Sequence, residues 1–430
     1  MKQESDCVNF ANLSTPICRA TPDRKLQEGA SMPALKLILV FALMMVLLWQ
    51  RAPLAPVIFG SSCVLAILYH LPLTAFVTAF WQTLTDPSTI ELELVLVLIM
   101  LFEGLLKKES YLARMLDGLL NLLPSRRLLA ATLPAFIGLM PSMGGALFSA
   151  PLVAQATADT TLSPEEKSVI NYYYRHIWEY CLPLYPSLLI TSQVCELPLT
   201  KLIQALVPYG LLVALLGWPY LRRIPAEKKR PGNGSFPLIK EVFLNILPVL
   251  VVVLMVLFLQ VRILIAVGLV LAVLLVRHRY TPRRLLSLCR ETVQVKVLLL
   301  VLGIFFFKET ILTTGAVASL SYFLEDLAVP DFVVFGIFAL LVGLITGTVS
   351  YSMGIIFPVV MAATGGQINM PLAVFVFIAG FSGAMFTPMH LCLSLTVDFF
   401  RADLRQVLRM LVLPEAALIA IAATVYIITV

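Results

Sequence analysis

Long apolar segments alternate with short polar ones along nearly the whole chain. A stretch of about 18 or more residues with few charges predicts a membrane-spanning helix, because roughly 20 residues cross the hydrocarbon core of a bilayer. Residues 1–31 precede these segments and are polar, without the apolar core of a signal peptide. They are either a tail or, if Met32 is the true start, an artefact of the gene start. The apolar segments are 33–49, 53–70, 90–106, 129–156, 164–194, 198–220, 238–258, 261–277, 295–308, 331–364, 371–400 and 411–430.

The composition points to the same class of protein. Of the 430 residues, 60% are hydrophobic and 13% are charged, whereas a soluble domain carries roughly 25% charged residues. The sequence therefore predicts an all-α polytopic protein of the cell inner membrane, in contact with the lipid bilayer. The net charge of +6 predicts no nucleic-acid partner, because Lys and Arg cluster at the ends of apolar segments. The seven cysteines are scattered without a CxxC pair, which indicates neither a disulfide framework nor a zinc site.

Two of the apolar segments, 129–156 and 331–364, are interrupted at their centres. Gly, Pro and Ser cluster at 138–145 in the first segment, and Gly, Thr and Ser cluster at 343–354 in the second. Backbone exposed to lipid must satisfy its own hydrogen bonds, so such breaks are tolerated only inside protein or beside water. Each segment is long enough for two half-length helices and a turn. We therefore predict two re-entrant hairpins.

Two further segments, 164–194 and 371–400, are predicted to be broken helices. Pro183 and Pro186 interrupt the first, and the second is interrupted at 387–390 around a proline. Proline removes a backbone donor and its ring clashes with the carbonyl one turn earlier. The helices should unwind at these points and leave amides and carbonyls free at membrane depth.

These features recur at a fixed spacing. Gly138 and Gly343 are 205 positions apart, and so are Pro183 and Pro388. Residue identity between the copies is weak, and chance similarity of Gly- and Pro-rich apolar segments is the alternative explanation. Because the order of spans, hairpin and broken helix also recurs, we predict two repeats of five spans. An odd number of spans turns the second copy upside down.

The predicted repeats are 32–220 and 237–430, and they are joined by a polar linker, 221–236. Clusters of Lys and Arg next to membrane spans are typical of cytoplasmic loops. The first hairpin is therefore expected to enter the membrane from inside and the second from outside. The basic clusters lie at 107–127, 222–230, 277–290 and 401–409.

Broken helices in inverted repeats are typical of secondary transporters. The ends of half-helices direct partial charges to the middle of the membrane, where free amides bind anions and free carbonyls bind Na⁺. Na⁺ could bind at the hairpin tips; no metal site or other cofactor is predicted, and H⁺ is the other candidate coupling ion. The candidate substrate-binding residues are Ser142, Gly144, Gly145, Pro183, Tyr185, Thr346, Gly347, Thr348, Thr387, Pro388 and His390.

Arg175, His176 and Glu179 form a second candidate group, near the predicted mid-depth of their helix. Ionisable residues at this depth are costly and are functional hypotheses by default. On a continuous helix Arg175 and Glu179 face each other at i,i+4, and His176 and Glu179 at i,i+3. Arg175 could bind a substrate anion, and His176 or Glu179 could carry a coupling proton. The alternative is a self-satisfied structural pair. Glu103 is expected to pair with Lys107 at the membrane interface.

Three strings are specific enough to suggest a family: Gly138-Leu-Met-Pro-Ser-Met-Gly-Gly-Ala-Leu-Phe-Ser-Ala-Pro151, Asn171-Tyr-Tyr-Tyr-Arg-His-Ile-Trp-Glu179 and Pro388-Met-His-Leu-Cys-Leu393. They resemble the uncharacterised membrane proteins of domain of unknown function 401, a resemblance that spans residues 33–430. The hairpins and broken helices also resemble the ion transporter superfamily, which includes dicarboxylate, citrate, gluconate and arsenite carriers.

The resemblance implies an elevator-type carrier that forms a homodimer, with hairpin tips and broken helices at its site. The Ser-Asn-Thr hairpin signature of the Na⁺/dicarboxylate branch is absent, and 141–145 reads Pro-Ser-Met-Gly-Gly instead. The coupling ion and the substrate therefore stay open.

Three classes of function remain in view. The expected one is a secondary active transporter of a small anionic organic solute, coupled to H⁺ or Na⁺. A channel or a membrane scaffold is the alternative, since some channels also have inverted repeats. An enzyme is not expected, because the sequence holds neither an HExxH pair nor a Gly-rich nucleotide loop.

Overall fold

The protein is helical throughout the residues that its computed structural model describes, which are 24–123, 125–140, 145–224, 236–314 and 329–430. Those ranges contain no β-strand. This confirms the predicted all-α class. Most of the N-terminal tail and of the linker, and the two predicted site residues Ser142 and Gly144, lie outside the described ranges.

One helix of the first half begins at a capping box, which can be recognised from the sequence. Ser163 accepts a hydrogen bond from the backbone of Glu166, the Glu166 side chain accepts one in return, and Pro164 occupies the first position of the helix. The helices are α1 (Arg24–Trp49), α2 (Leu54–Leu68), α3 (Leu73–Thr85), α4 (Pro87–Lys108), α5 (Tyr111–Leu122), α6 (Arg126–Gly138), α7 (Ala146–Ala156), α8 (Pro164–Arg175), α9 (Pro186–Val194), α10 (Leu199–Leu216) and α11 (Trp218–Arg222).

The second half begins after the linker and ends near the last residue. Its helix α18 begins like α8, with a side-chain cap from Asn369 and a proline in the first turn. The helices are α12 (Phe236–Leu257), α13 (Ile263–Arg277), α14 (Pro282–Thr292), α15 (Val295–Thr314), α16 (Asp331–Thr346), α17 (Val349–Ala363), α18 (Met370–Met385), α19 (Leu391–Phe400) and α20 (Leu404–Thr429).

The surface and the long helices fit a membrane protein. Within the described residues, three helical stretches are long and apolar enough to cross a membrane: 199–222, 237–257 and 404–429. Large apolar side chains such as Leu413 and Phe258 are three-quarters exposed or more, which suits contact with lipid. Other apolar helices in those ranges have only 10–17 residues. Fewer stretches of this kind are therefore seen among the described residues than the ten predicted spans.

The hairpin helices pack across the two halves of the chain. Helices α6 and α7 lie against each other, and α7 also packs on α19 from the other half. In the same way, α17 packs on α9. The second arm of each hairpin thus contacts the segment after the helix break of the opposite half.

The first helix break is wider than the prolines alone predict. Helix α8 ends at Arg175, a 3₁₀ turn covers Ile177–Tyr180, and α9 begins only at Pro186. The ring Nδ1 of His176 lies 2.6 Å from the carbonyl oxygen of Tyr172, which would otherwise accept the backbone N–H of His176. A side chain that bonds to the carbonyl one turn earlier competes with the backbone for this acceptor, and the α-helix ends here, before the prolines are reached. In the second half the break falls at the predicted place, between α18 and α19.

Candidate functional site

Two histidines, one from each half of the chain, face each other where the two helix breaks meet. His176 follows the last residue of α8, and His390 directly precedes α19. Their Nε2 atoms are 3.2 Å apart although 214 positions separate them in sequence. His176 is 1% exposed and His390 is 7% exposed. The predicted site residue His390 and the predicted coupling residue His176 are therefore brought into direct contact.

Both imidazole rings are held at their other nitrogen by backbone carbonyls. Nδ1 of His176 lies 2.6 Å from the oxygen of Tyr172, and Nδ1 of His390 lies 3.0 Å from the oxygen of Ala384. A carbonyl oxygen can only accept, so each Nδ1 must carry the proton in these contacts. In the neutral ring, Nε2 then presents a lone pair.

Tyr172 supports both rings. Its ring meets those of His176 and His390 edge to face, with centroid distances of 4.7 and 5.3 Å. The tyrosine is fully buried, so the imidazoles cannot turn away without disturbing the core. The aromatic run 172–174 thus contributes packing, and its first member lines the histidine pair.

Arg175 and Glu179 lie beside this pair. One carboxylate oxygen of Glu179 is 3.8 Å from the Arg175 guanidinium and 3.8 Å from Nε2 of His176. Both side chains are buried. Arg175 ends α8 and Glu179 stands in the 3₁₀ turn, so the contact does not arise from the continuous helix that the sequence suggested. Arg175 is also within electrostatic range of Glu103.

Cys392 is the site residue that the sequence analysis missed. It lies in the first turn of α19 and is buried. Its sulfur and one ring nitrogen from each of His176 and His390 all lie within 4.8 Å of one another, and the three together could hold a metal ion. The only signal in the sequence is a cysteine two positions after a histidine, and it does not reveal that His176, 216 positions away from Cys392, is a partner.

Asn171 fastens α8 to both halves of the surrounding structure. Its amide nitrogen donates to the carbonyl oxygen of Ala146 in α7 and to the hydroxyl of Thr396 in α19, both at 3.0 Å. Its side-chain oxygen is buried and has no hydrogen-bond partner among the described residues. Asn171 therefore joins the first hairpin to the two broken helices.

The first helix break is fixed to the end of α6. The hydroxyl of Tyr185 donates to the carbonyl oxygen of Gly138 at 2.5 Å. The indole nitrogen of Trp178 donates to the oxygen of Ala135 at 2.8 Å. A Cβ atom at Gly138 would collide with the carbonyl of Arg175, so glycine is needed for this approach.

The tip of the second hairpin touches the second break. Gly347 has a φ of +62°, and a Cβ atom there would lie 2.7 Å from the backbone of Met389. The hydroxyl of Thr346 lies 2.7 Å from that of Ser352 and donates to the oxygen of Val342 at 2.9 Å. These hydroxyls hold the tip together. Among these tip residues, Gly347 is the one whose contact with the helix break is described.

The remaining predicted site residues have different surroundings. Gly145 and Pro183 are buried, and the hydroxyl of Thr387 accepts from the backbone of Met389 at 3.2 Å. Thr348 precedes α17 and is half-buried, with no side-chain hydrogen bond to the helix start. Pro388 is exposed.

Comparison with known proteins places the chain without assigning an activity. No curated protein matches it. The family described as protein of unknown function (DUF401) matches residues 34–429, nearly the whole chain. The predicted resemblance to these proteins is thereby confirmed, and the chain belongs to the DUF401 family.

Proposed function

We propose that the protein is a secondary active transporter of the inner membrane. It carries a small anionic organic solute, driven by a gradient of H⁺ or Na⁺, through an elevator-type alternating-access mechanism. The observation that carries this proposal is the meeting of two helix breaks, one from each half, at His176 and His390. Polar groups of the backbone and side chains at such a meeting point can bind a solute and release it.

The order of helices supports two repeats. Helices α1 to α4 correspond in order to α12 to α15, and α6 to α10 correspond to α16 to α20. The counterpart of α5 falls on residues outside the described ranges. Helices α2 and α13 even share a length of 15 residues. A doubled unit that can exchange two conformations is the usual basis of alternating access.

The charge arrangement supports a single cytoplasmic side. Arg127, before the first hairpin, donates to the carbonyl oxygen of Ile224 at 2.7 Å. The backbone N–H of Asp403 donates to Glu165 at 3.0 Å, next to the capping box of α8. Arg223 pairs with Glu166 of that box, so three regions that the positive-inside rule assigns to the cytoplasm lie close to one another.

The buried Arg175 supports an anionic solute. A cation in a low-dielectric interior attracts anions far more strongly than one in water. Glu179 is 3.8 Å away, a separation longer than that of a tight bidentate pair, so an acid group of a solute could share the guanidinium. The homodimer rests on the family resemblance alone.

Uptake into proteoliposomes tests the proposal. The purified chain should accumulate at least one radiolabelled carboxylate from a panel of succinate, citrate and gluconate under an imposed H⁺ or Na⁺ gradient. Arg175→Gln should abolish uptake, and the lipid-facing control Leu413→Ala should not change it. Flux that never saturates and ignores both gradients would instead identify a channel.

A further inference from the structure

The histidine pair has a second property that does not depend on transport. We propose that His176, His390 and Cys392 bind one zinc-class transition-metal ion. The ion joins the two helix breaks, so it fastens the first half of the chain to the second.

The protonation of the two rings is the first argument. Both Nδ1 atoms donate to carbonyl oxygens, so in the neutral form of each ring Nε2 carries a lone pair, and the two Nε2 atoms face each other at 3.2 Å. Two lone pairs at this distance repel unless a cation lies between or beside them. A metal ion satisfies both nitrogens at once, and neutral imidazole is the form that binds metals.

The spacing of the candidate ligands is the second argument. Zinc binds nitrogen at about 2.0–2.1 Å and thiolate sulfur at about 2.3 Å in tetrahedral geometry, which places two ligating nitrogens roughly 3.3 Å apart. The Nε2 atoms of His176 and His390 are 3.2 Å apart. All three ligand atoms, including the sulfur of Cys392, lie within 4.8 Å of one another.

The surroundings of the rings are the third argument. Histidines that ligate metals commonly donate their other N–H to a carbonyl or carboxylate, which fixes the tautomer and the ring orientation. Both histidines make such a contact, with the oxygens of Tyr172 and Ala384. Glu179 Oε1 lies 3.8 Å from Nε2 of His176, so its carboxylate adds negative charge beside the three ligands.

Metal analysis of the full-length protein tests the proposal. The chain, freed of any affinity tag and purified in detergent, is stripped with a chelator, reloaded with Zn²⁺ and freed of excess metal. Inductively coupled plasma mass spectrometry should then find one zinc per chain. His390→Ala and Cys392→Ser should each lose most of this zinc. The controls Cys195→Ser and His70→Gln, outside the cluster, should keep it.

Cobalt substitution gives a spectroscopic readout of the cysteine ligand. Reloading the wild-type protein with Co²⁺ should produce a thiolate-to-cobalt charge-transfer band, because a coordinating cysteine is deprotonated. The band should disappear in Cys392→Ser and persist in Cys195→Ser. Wild-type protein that stays monodisperse yet binds neither ion would overturn the proposal. The short distance between the two Nε2 atoms would then be explained by a proton shared between the rings. Zinc retained equally by all four variants would overturn it as well.

Discussion

The hydroxyl of Tyr172 donates to the carbonyl oxygen of Met385, the last residue of α18, at 3.1 Å. This hydrogen bond ties the end of α8 to the start of the second helix break. Met385 is followed by the break, so its carbonyl would otherwise lack a helical partner. One side chain therefore supports both histidine rings and caps the helix that leads to His390.

Tyr172→Phe should destabilise the protein without creating a cavity in its core. The ring stays, but a buried carbonyl loses its donor, which costs about 1–3 kcal/mol. Thermal unfolding of the detergent-solubilised chain should show a lower Tm. Tyr426→Phe is the control, because the Tyr426 hydroxyl makes no hydrogen bond to the described residues; the Tm of this variant should stay close to that of the wild type. Equal Tm values for all three proteins would contradict the assigned role.

Gly138→Ala should be strongly destabilising. Its new methyl group would meet the backbone of Arg175, and backbone cannot move aside as a flexible side chain can. Overpacking of this kind typically costs about 1–3 kcal/mol. Gly60→Ala is a matched control, because nothing lies within 4 Å of its added Cβ, and alanine is the better helix former. We expect a lower Tm for Gly138→Ala and not for Gly60→Ala. A lower Tm for Gly60→Ala alone would contradict the role assigned to Gly138.

The Arg175–Glu179 contact can be tested by a double-mutant comparison. Arg175→Gln leaves a buried carboxylate without its cation, which typically costs about 3–5 kcal/mol. Removing both charges, in Arg175→Gln with Glu179→Gln, should recover part of that loss. Thermal unfolding of the two single variants and the double variant measures the coupling. Additive losses would show that the two side chains do not interact.

The inverted arrangement of the hairpins predicts opposite labelling. Ser142→Cys and Thr348→Cys, each in a background without native cysteines, should react with a membrane-impermeant maleimide from opposite sides. Arg409→Cys should react only from the cytoplasmic side, where its basic cluster is expected. Labelling of both hairpin positions from one side alone, in every condition, would refute the inversion.

The sequence predicted the helix breaks better than it predicted the chemistry between them. Proline has a local effect, so the break before α19 falls where Pro388 places it. The early end of α8 was not predicted, because it arises from the ring of His176 taking a carbonyl, which no propensity reveals.

Local sequence patterns could not predict the contact between residues from the two halves. His176 and His390 were each singled out, but nothing in their spacing places their Nε2 atoms 3.2 Å apart. Cys392 is one of seven scattered cysteines, and only its proximity to both rings distinguishes it from Cys195, another buried cysteine. Likewise, Glu103 was expected to pair with Lys107 at the membrane interface. In the described structure it lies within electrostatic range of Arg175 instead.

The crossed hairpin contacts also affect how the protein must be made. Because α7 packs on α19 as well as on its own neighbours α6 and α8, and α17 packs on α9 as well as on α16 and α18, neither half of the polypeptide covers its own hairpin arm completely. If the N-terminal half were synthesised alone, part of an apolar face would stay uncovered. Almost the entire chain must therefore be translated before the interior can form. Splitting the gene at the linker should give two fragments that survive only when both are produced in the same cell.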